Sequence, residues 1–338
     1  MEKVLEYALR FSYLRKSDNY TLGALGLILL ENIRREWVCS VSTTQLEPFF
    51  RTMNVNPAIY YELYEINDKR LPLGLITLQN SDFNMKYDQR KFSKDMNFVY
   101  FCHPTTEMKW YDYWLRSRRA WWTKYLRHPD LIAQKTLGED SVSLELRLPS
   151  ISIELESVSR LGSSFFDDAE NIQQYMINGK KSVMPSVIKI TSSSHQGFLA
   201  ILADACSLRS LKKNSMDKSC VFQIHHLLAP WKVGFVLPLE KVSSGQPLYE
   251  LAILLSSELK SLRIDVAPFK LGSTDSSTKW FDGAGVPFSV LLSPETLKNG
   301  ICSLRTRDTT LSEQVHVGSL KQHLGKFLIP NLYASKLK

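Results

Sequence analysis

The sequence predicts an α/β protein of two domains, an α+β part over residues 1–218 and a small three-layer α/β domain over residues 219–338. Three observations lead there. A chain of 338 residues can bury two hydrophobic cores. From Val221 onward, β-type runs and amphipathic-helix patterns alternate, as in a sheet covered by helices. Between the halves lies a basic stretch, residues 209–218 with Lys212, Lys213 and Lys218, polar enough for an exposed linker.

The elements follow in order. Val4, Leu5, Ala8 and Leu9 have helical spacing. Leu27, Leu30, Ile33 and Trp37 make an apolar stripe on a second helix whose Arg34, Arg35 and Glu36 are solvated. Residues 40–68 leave room for a hairpin or one helix. Strands are expected at 74–80 and 97–102, the second broken by His103-Pro104. Residues 107–128 predict a strong helix on which Trp110, Tyr113, Trp114, Trp121 and Tyr125 recur at steps of three and four; Arg116, Arg118, Arg119, Lys124 and Arg127 lie mostly off that stripe. It reads either as an aromatic and basic surface for DNA or a protein partner, or as a core helix with a charged outer face. Strands at 144–148 and 151–155, a helix at 163–178 stopped by Asn178-Gly179, a strand at 182–191 and a buried helix at 197–208 complete this part.

The second part begins with a strand at 231–238. An amphipathic helix at 245–263 follows, with Leu248, Leu251, Ala252, Leu255, Leu259 and Leu262 on one side. A strand at 264–269 then lies parallel to the first, as a right-handed crossover requires. A short helix and turn fill 273–285, and Phe288 opens a buried strand ended by Ser293-Pro294. Asn299-Gly300 reads as a hairpin turn. In the next strand Ile301, Ser303, Arg305 and Arg307 share one face, while Cys302, Leu304 and Thr306 share the other. Residues 308–313 are expected to close that strand and cap a helix, and 319–328 to form the last helix. Lys321, Lys326, Lys336 and Lys338 make the end of the chain basic.

The formal net charge is +8, which favours a polyanionic partner and also serves solubility. Five scattered cysteines without CxxC or Cys/His spacing read as reduced packing thiols. No run is apolar and long enough to cross a bilayer. Lys3, Arg10, Arg15 and Lys16 hint at a transit peptide, against which Glu2, Glu6 and Asp18 argue. The histidines form no metal-binding or hydrolase pattern; His225-His226 is expected in a strand with its rings on opposite faces. No catalytic, metal or cofactor site is expected.

Several stretches resemble one family. ETLKNGICSLRTRDTT, residues 295–310, is similar to the C-terminal domain of the accessory subunits of mitochondrial DNA polymerase gamma, with E-T-L-x-N-G and L-R-x-R-D-T-T complete. HHLLAPWKV, residues 225–233, resembles the family's H-x-x-L-A-P-x-K-V. GALGLILLENIRREW, residues 23–37, is similar to G-P-L-G-x-x-L-x-x-N-x-x-x-x-W with Ala24 in place of the proline, and KRLPLGL at 69–75 and WLRSRRAWWTK at 114–124 also match. VLEYALRFSYL, residues 4–14, resembles the first helix of that family and of glycyl-type class II synthetases.

The resemblance implies a class II synthetase-like antiparallel-sheet domain followed by an anticodon-binding-like domain with a mixed sheet. It implies a non-catalytic processivity subunit that docks on the catalytic subunit of mitochondrial DNA polymerase gamma and strengthens its hold on primer-template or double-stranded DNA. The place implied is the mitochondrial matrix nucleoid, without membrane contact or cofactor. Vertebrate members carry a long helical insert that builds their homodimer; the short 40–68 stretch here implies a heterodimer with one accessory subunit. Residues 195–208, equivalent to the synthetases' third motif, hold Gly197 but no arginine, and the R-x-E of the second motif is missing, so the nucleotide-gripping guanidiniums are lost. Candidate contacts to partner or nucleic acid are Lys232, Arg305, Arg307, Lys321, Arg116 and Arg119; Gly300, Asp308 and Pro230 are structural positions of the motifs. Arg307 alternatively forms a local ion pair with Asp308. A divergent synthetase and a tRNA- or RNA-binding module remain as alternatives.

Overall fold

The computed structural model describes residues 2–42, 48–83, 92–149, 151–169, 172–177, 183–210, 218–237 and 242–329. The linker lysines Lys212 and Lys213, the Asn178-Gly179 stop and the terminal Lys336 and Lys338 lie outside the described residues. The chain opens with α1 (Glu2–Arg10), β1 (Leu14–Lys16), β2 (Tyr20–Leu22) and α2 (Ala24–Ser42). Next come β3 (Phe49–Arg51), α3 (Pro57–Ile66), β4 (Leu73–Leu78), β5 (Met96–Cys102), α4 (Glu107–Tyr125), β6 (Ile132–Gly138), β7 (Ser141–Leu148), β8 (Ile151–Gly162), β9 (Ser186–Ser192) and α5 (Ser194–Ala205). The remainder is β10 (Cys206–Ser210), β11 (Lys218–Phe222), β12 (Val233–Leu237), α6 (Val242–Ser261), β13 (Lys270–Leu271), α7 (Thr274–Gly283), β14 (Phe288–Leu291), α8 (Pro294–Asn299), β15 (Ile301–Thr306), β16 (Ser312–His316) and α9 (Val317–Leu328). Packing divides these into two compact units, one of residues 1–14, 23–32 and 205–338, the other of residues 15–22 and 33–204.

The second of these units is built on a seven-stranded sheet in the order β3-β4-β5-β9-β8-β7-β6. Only β3 and β4 run parallel; the other neighbours are antiparallel. Strand β5 shows why the central strands carry no polar alternation. Phe98 and Tyr100 meet Trp114 of α4 at ring distances of 4.7 and 5.3 Å. Val99 and Phe101 point the other way, into a core with Tyr60 of α3, Leu73, Leu75 and Phe166. Both faces are buried from Phe98 to Cys102, so no charged or amide side chain stands there.

The other unit holds the mixed five-stranded sheet β13-β12-β14-β15-β16. Strand β12 is parallel to β13 and β14, whereas β15 and β16 are antiparallel to their neighbours. Val233, Phe235, Val290, Cys302 and Leu304 bury one face against Leu248, Ala252 and Leu255 of α6 and Leu320 and Leu324 of α9. On the opposite face Phe281 of α7 lies so close to Gly234 that a Cβ there would sit 2.5 Å from its ring. The three-layer expectation is met.

The structure corrects several local expectations. Asn299-Gly300 does not turn a hairpin: Gly300 ends α8 in the left-handed region at φ 71°. Ser293 and Thr296 form a capping box at the other end of that helix. After β15 the chain makes a tight turn and returns as β16, not as a capped helix. Residues 163–178 hold two 3₁₀ turns, Ser164–Phe166 and Ile172–Tyr175, because Phe166 and Tyr175 are drawn into the α3 core. His225-His226 lies in a turn with its rings stacked at 4.2 Å. On α2 the expected Leu30, Ile33 and Trp37 are buried and are joined by Leu25, Leu29 and Val41, while Leu27 is 51% exposed.

Gly300→Ala should lower the unfolding free energy by about 1–2 kcal/mol, the usual penalty for a side chain at left-handed φ. Gly138→Ala, where a Cβ meets no atom within 4 Å, should stay within about 0.5 kcal/mol. Urea denaturation of both variants checks the pair.

Candidate functional site

The β14–α8–β15 segment positions the arginines singled out by the sequence. The alternation of β15 holds: Cys302 and Leu304 point into the core, Arg305 to the α7 side. There Arg305 makes a bidentate ion pair with Asp282 of α7, both bonds 2.8 Å. Arg307 turns inward and is 1% exposed. Its Nη1 donates to the Gly285 carbonyl and its Nη2 to the Ile224 carbonyl, each at 2.8 Å, and Nε donates to Asp308 at 2.8 Å. Burial of that guanidinium is tolerable because its donors meet carbonyl and carboxylate oxygens. The ion pair with Asp308 is therefore present, together with two carbonyl bonds that hold separate loops. In the adjoining loop, Tyr13 donates to the Ala284 carbonyl at 3.0 Å.

Lys232 follows the same logic. It is 8% exposed, and its Nζ donates to the carbonyls of Leu227 and Ala229 at 2.7 and 2.6 Å. Asn32 Nδ2 donates to Leu228 and Ala229 at 3.1 and 3.3 Å, and buried Pro230 closes the turn. Lys232 and Arg307, expected to face a partner, are instead internal staples of the L-A-P-x-K and R-x-R-D motifs. Lys321 stands on α9, in the layer opposite Arg305. The sequence-expected cluster is thus divided between two layers of one sheet.

In the other unit, Arg116 and Arg119 point outward from α4. Arg116 Nε returns to the Asp112 carbonyl at 3.2 Å, and Arg119 Nη2 reaches the Ile132 carbonyl at 3.4 Å. Arg118 does not share their exposure. It is fully buried, as is Glu156 of β8, and its Nε lies 3.0 and 3.1 Å from the two carboxylate oxygens. The indole nitrogens of Trp37 and Trp122 donate to the same carboxylate, each at 2.8 Å. Arg118 Nη1 donates to Ser40 at 2.7 Å, and the guanidinium carbon stands 5.4 and 5.2 Å from the ring centres of Trp37 and Trp121. The α4 helix is therefore a core helix with a charged outer face. Sequence reasoning missed Glu156; the signal was the set of tryptophans on α2 and α4, since a buried indole N–H usually finds an acceptor, as those of Trp37 and Trp122 do here.

Around α5, Asp95 accepts from the Ser194 backbone N–H at 2.7 Å and from Arg34 at 2.5 Å, so Arg34 is paired rather than solvated. This carboxylate sits at a helix N-terminus, where it is stabilised. Gly197, in the region equivalent to the synthetases' third motif, is closed off: a Cβ there would lie 3.1 Å from Trp122. Among the described residues no group of three His, Cys, Asp or Glu side chains could hold a metal, and no helix is long and apolar enough to cross a membrane.

A mostly antiparallel seven-stranded sheet followed by a mixed α/β sheet defines a class II synthetase-like architecture. Sequence comparison agrees. The chain is 28% identical over 299 residues to the mitochondrial DNA polymerase subunit gamma-2 of Xenopus laevis, covering 80% of this chain and 62% of that protein. It is 29% identical over 302 residues to DNA polymerase subunit gamma-2 of Mus musculus, with the same coverage. It is 24% identical over 309 residues to the glycine–tRNA ligase of Thermus thermophilus, covering 78% of this chain and 60% of that one. The chain thus spans about 60% of the length of these relatives. No protein-family model matches. The sequence is thus similar both to DNA polymerase gamma-2 subunits and to glycine–tRNA ligases.

Two predictions follow from the buried charges. Arg118→Met leaves Glu156 buried without its cation and should destabilise by about 3–5 kcal/mol, measured by chemical denaturation. His195 is 1% exposed, lies edge-on to Phe83 and Phe92, and neither ring nitrogen has a hydrogen-bond partner among the described residues. Burial holds its pKa below the ordinary value, Arg34 adds to the depression, and Asp95 and Asp82 oppose it. The unfolded chain then binds a proton more readily, so the neutral ring's stability is full above the unfolded pKa of about 6.5 and is lost as pH falls through it. His195→Phe should flatten that part of the stability–pH profile.

Proposed function

We propose that this chain is a non-catalytic accessory subunit of the mitochondrial replicative DNA polymerase. It binds the catalytic subunit and strengthens its hold on primer-template DNA in the nucleoid of the mitochondrial matrix. The observation that carries the reading is similarity to gamma-2 subunits over 80% of the chain. In this reading residues 1–218 are a degenerate synthetase-like domain and residues 219–338 an anticodon-binding-like domain. The stations with an outward charge, Arg116, Arg119 and Lys321, and the half-buried Arg305, are the contacts to partner or DNA. Lys232 and Arg307 act indirectly, by shaping the loops of that domain. One accessory subunit per catalytic subunit is favoured by the single helix α3 between α2 and β4 among the described residues.

A second reading is favoured by the similarity to glycine–tRNA ligases: a divergent synthetase or tRNA-binding protein. One experiment separates them. Extension of a long primed template by the catalytic subunit, with and without this chain, should give longer products with it, an effect that weakens as salt rises, and the two chains should co-sediment at 1:1. Unchanged product length, with glycine-dependent ATP–pyrophosphate exchange or preferential tRNA retention by this chain alone, would favour the second reading.

A further inference from the structure

Strands β10 and β11 form an isolated antiparallel pair whose register sets Cys206 against Phe222 and Leu208 against Cys220. Cys206 and Cys220 are therefore diagonal neighbours, and their Sγ atoms lie 3.5 Å apart. A disulfide needs about 2.05 Å, so closing the bond takes side-chain rotation together with a small approach of the two strands, whose diagonal positions stand wider than directly opposed ones. None of the five cysteines is in a disulfide; Cys39 is exposed, and Cys102 and Cys302 are buried. Cys206 is only half-buried, whereas Cys220 is buried. Of the two residues, Cys206 is thus the more open to a small reagent.

We propose that Cys206 and Cys220 form a redox modification site, a dithiol that a peroxide or a small-molecule disulfide converts to an intrachain disulfide. Cys206 is the attacking sulfur and Cys220 the resolving one. With hydrogen peroxide, the Cys206 thiolate attacks one oxygen, the O–O bond breaks, and water leaves after protonation. Cys220 then attacks the Cys206 sulfenic acid and gives up its proton, the S–O bond breaks, and a second water leaves. Two thiols are oxidised and one peroxide is reduced to two waters. With a small disulfide, Cys206 displaces one small thiol to form a mixed disulfide, and Cys220 displaces the second. The hydrogen bond from Cys220 lowers the Cys206 pKa, in keeping with its role as the attacking thiolate, while the same contact and burial raise that of Cys220.

The test uses the full chain, reduced and freed of reductant, exposed separately to hydrogen peroxide and to oxidised glutathione. Thiols are counted after denaturation, and peptides are mapped by mass. From five cysteines the count should fall by two in both arms, besides any loss at exposed Cys39, with one cross-linked peptide joining Cys206 to Cys220, two hydrogens lighter and restored by dithiothreitol. The melting temperature of the oxidised chain should rise by several degrees, as expected for closing a loop of this size. Cys39→Ser should behave as the parent. Cys206→Ser should keep its remaining thiols under doses that close the parent's bond; Cys220→Ser should stop at a sulfenic acid or mixed disulfide on Cys206. Full retention of both thiols at doses that oxidise exposed Cys39 overturns the proposal. So does oxidation that joins either cysteine to a different residue, or to a second chain, in place of this bond.

Discussion

A carboxylate without water governs the antiparallel unit. Glu156 is fully buried, and a lone charge there would be untenable. Its acceptor sites are filled by one guanidinium and two indole N–H groups, one indole from α2 and the other two donors from α4. Those bonds fix more than their own energy, because each donor also orients a large side chain. Trp37, Trp122 and Arg118 are among the largest fully buried residues. Removing the acceptor would leave all three with unsatisfied nitrogens inside the packing, so the helices are tied to one point on β8. Net stabilisation by such a buried pair is modest once desolvation is counted; its consequence is a defined geometry in a core otherwise held by non-directional apolar contact.

Strand β8 delivers Glu156 to that point through a bulge. Leu146 pairs with Ile153 and Leu144 with Glu156, with the register shifting between them. Residues two apart on β7 share a face, so Ile153 and Glu156 must share one too, although three positions separate them. In an unbulged strand they would lie on opposite faces. The extra residue therefore converts a position that alternation would assign to one side into the anchor of the other.

The legibility of the chain follows from the same physics. Helices α4, α6 and α9 are readable because their burial repeats with the helical period, and strands β4, β5, β12 and β14 because each is a short, nearly continuous apolar run. The three-layer arrangement of the C-terminal part was readable from the order of those periods. Strand β6 was invisible, since after Ile132 its residues are intermediate or exposed and only backbone pairing makes it a strand. Asn299-Gly300 was read as a hairpin because glycine at positive φ serves both a turn and a helix end; Ser293 and Thr296, which close the capping box of α8, decide between them. For the arginines, alternation correctly gave the face of Arg305. It failed for Arg307, one residue beyond β15, where the backbone has left the strand and two carbonyls recruit the side chain.

Internal use of cations changes how a charge of +8 should be understood. A guanidinium that holds two loop carbonyls, or an ammonium that holds a turn, contributes to the formal count yet offers little to a phosphate at the surface. Arg307, Lys232 and Arg118 are of this kind, and two of them stand inside the most recognisable sequence motifs. Motif strength and surface contact are therefore different properties here. The R-x-R-D and L-A-P-x-K patterns are strong because each needs a specific donor at a specific carbonyl, a demand the fold itself imposes. An exposed arginine that meets a mobile polyanion is held to a looser standard, since a neighbour one turn away can replace it. Under the proposed function, contacts to a nucleic acid are thus better sought on the outward faces of α4 and α9 than at the buried cations of the R-x-R-D and L-A-P-x-K patterns.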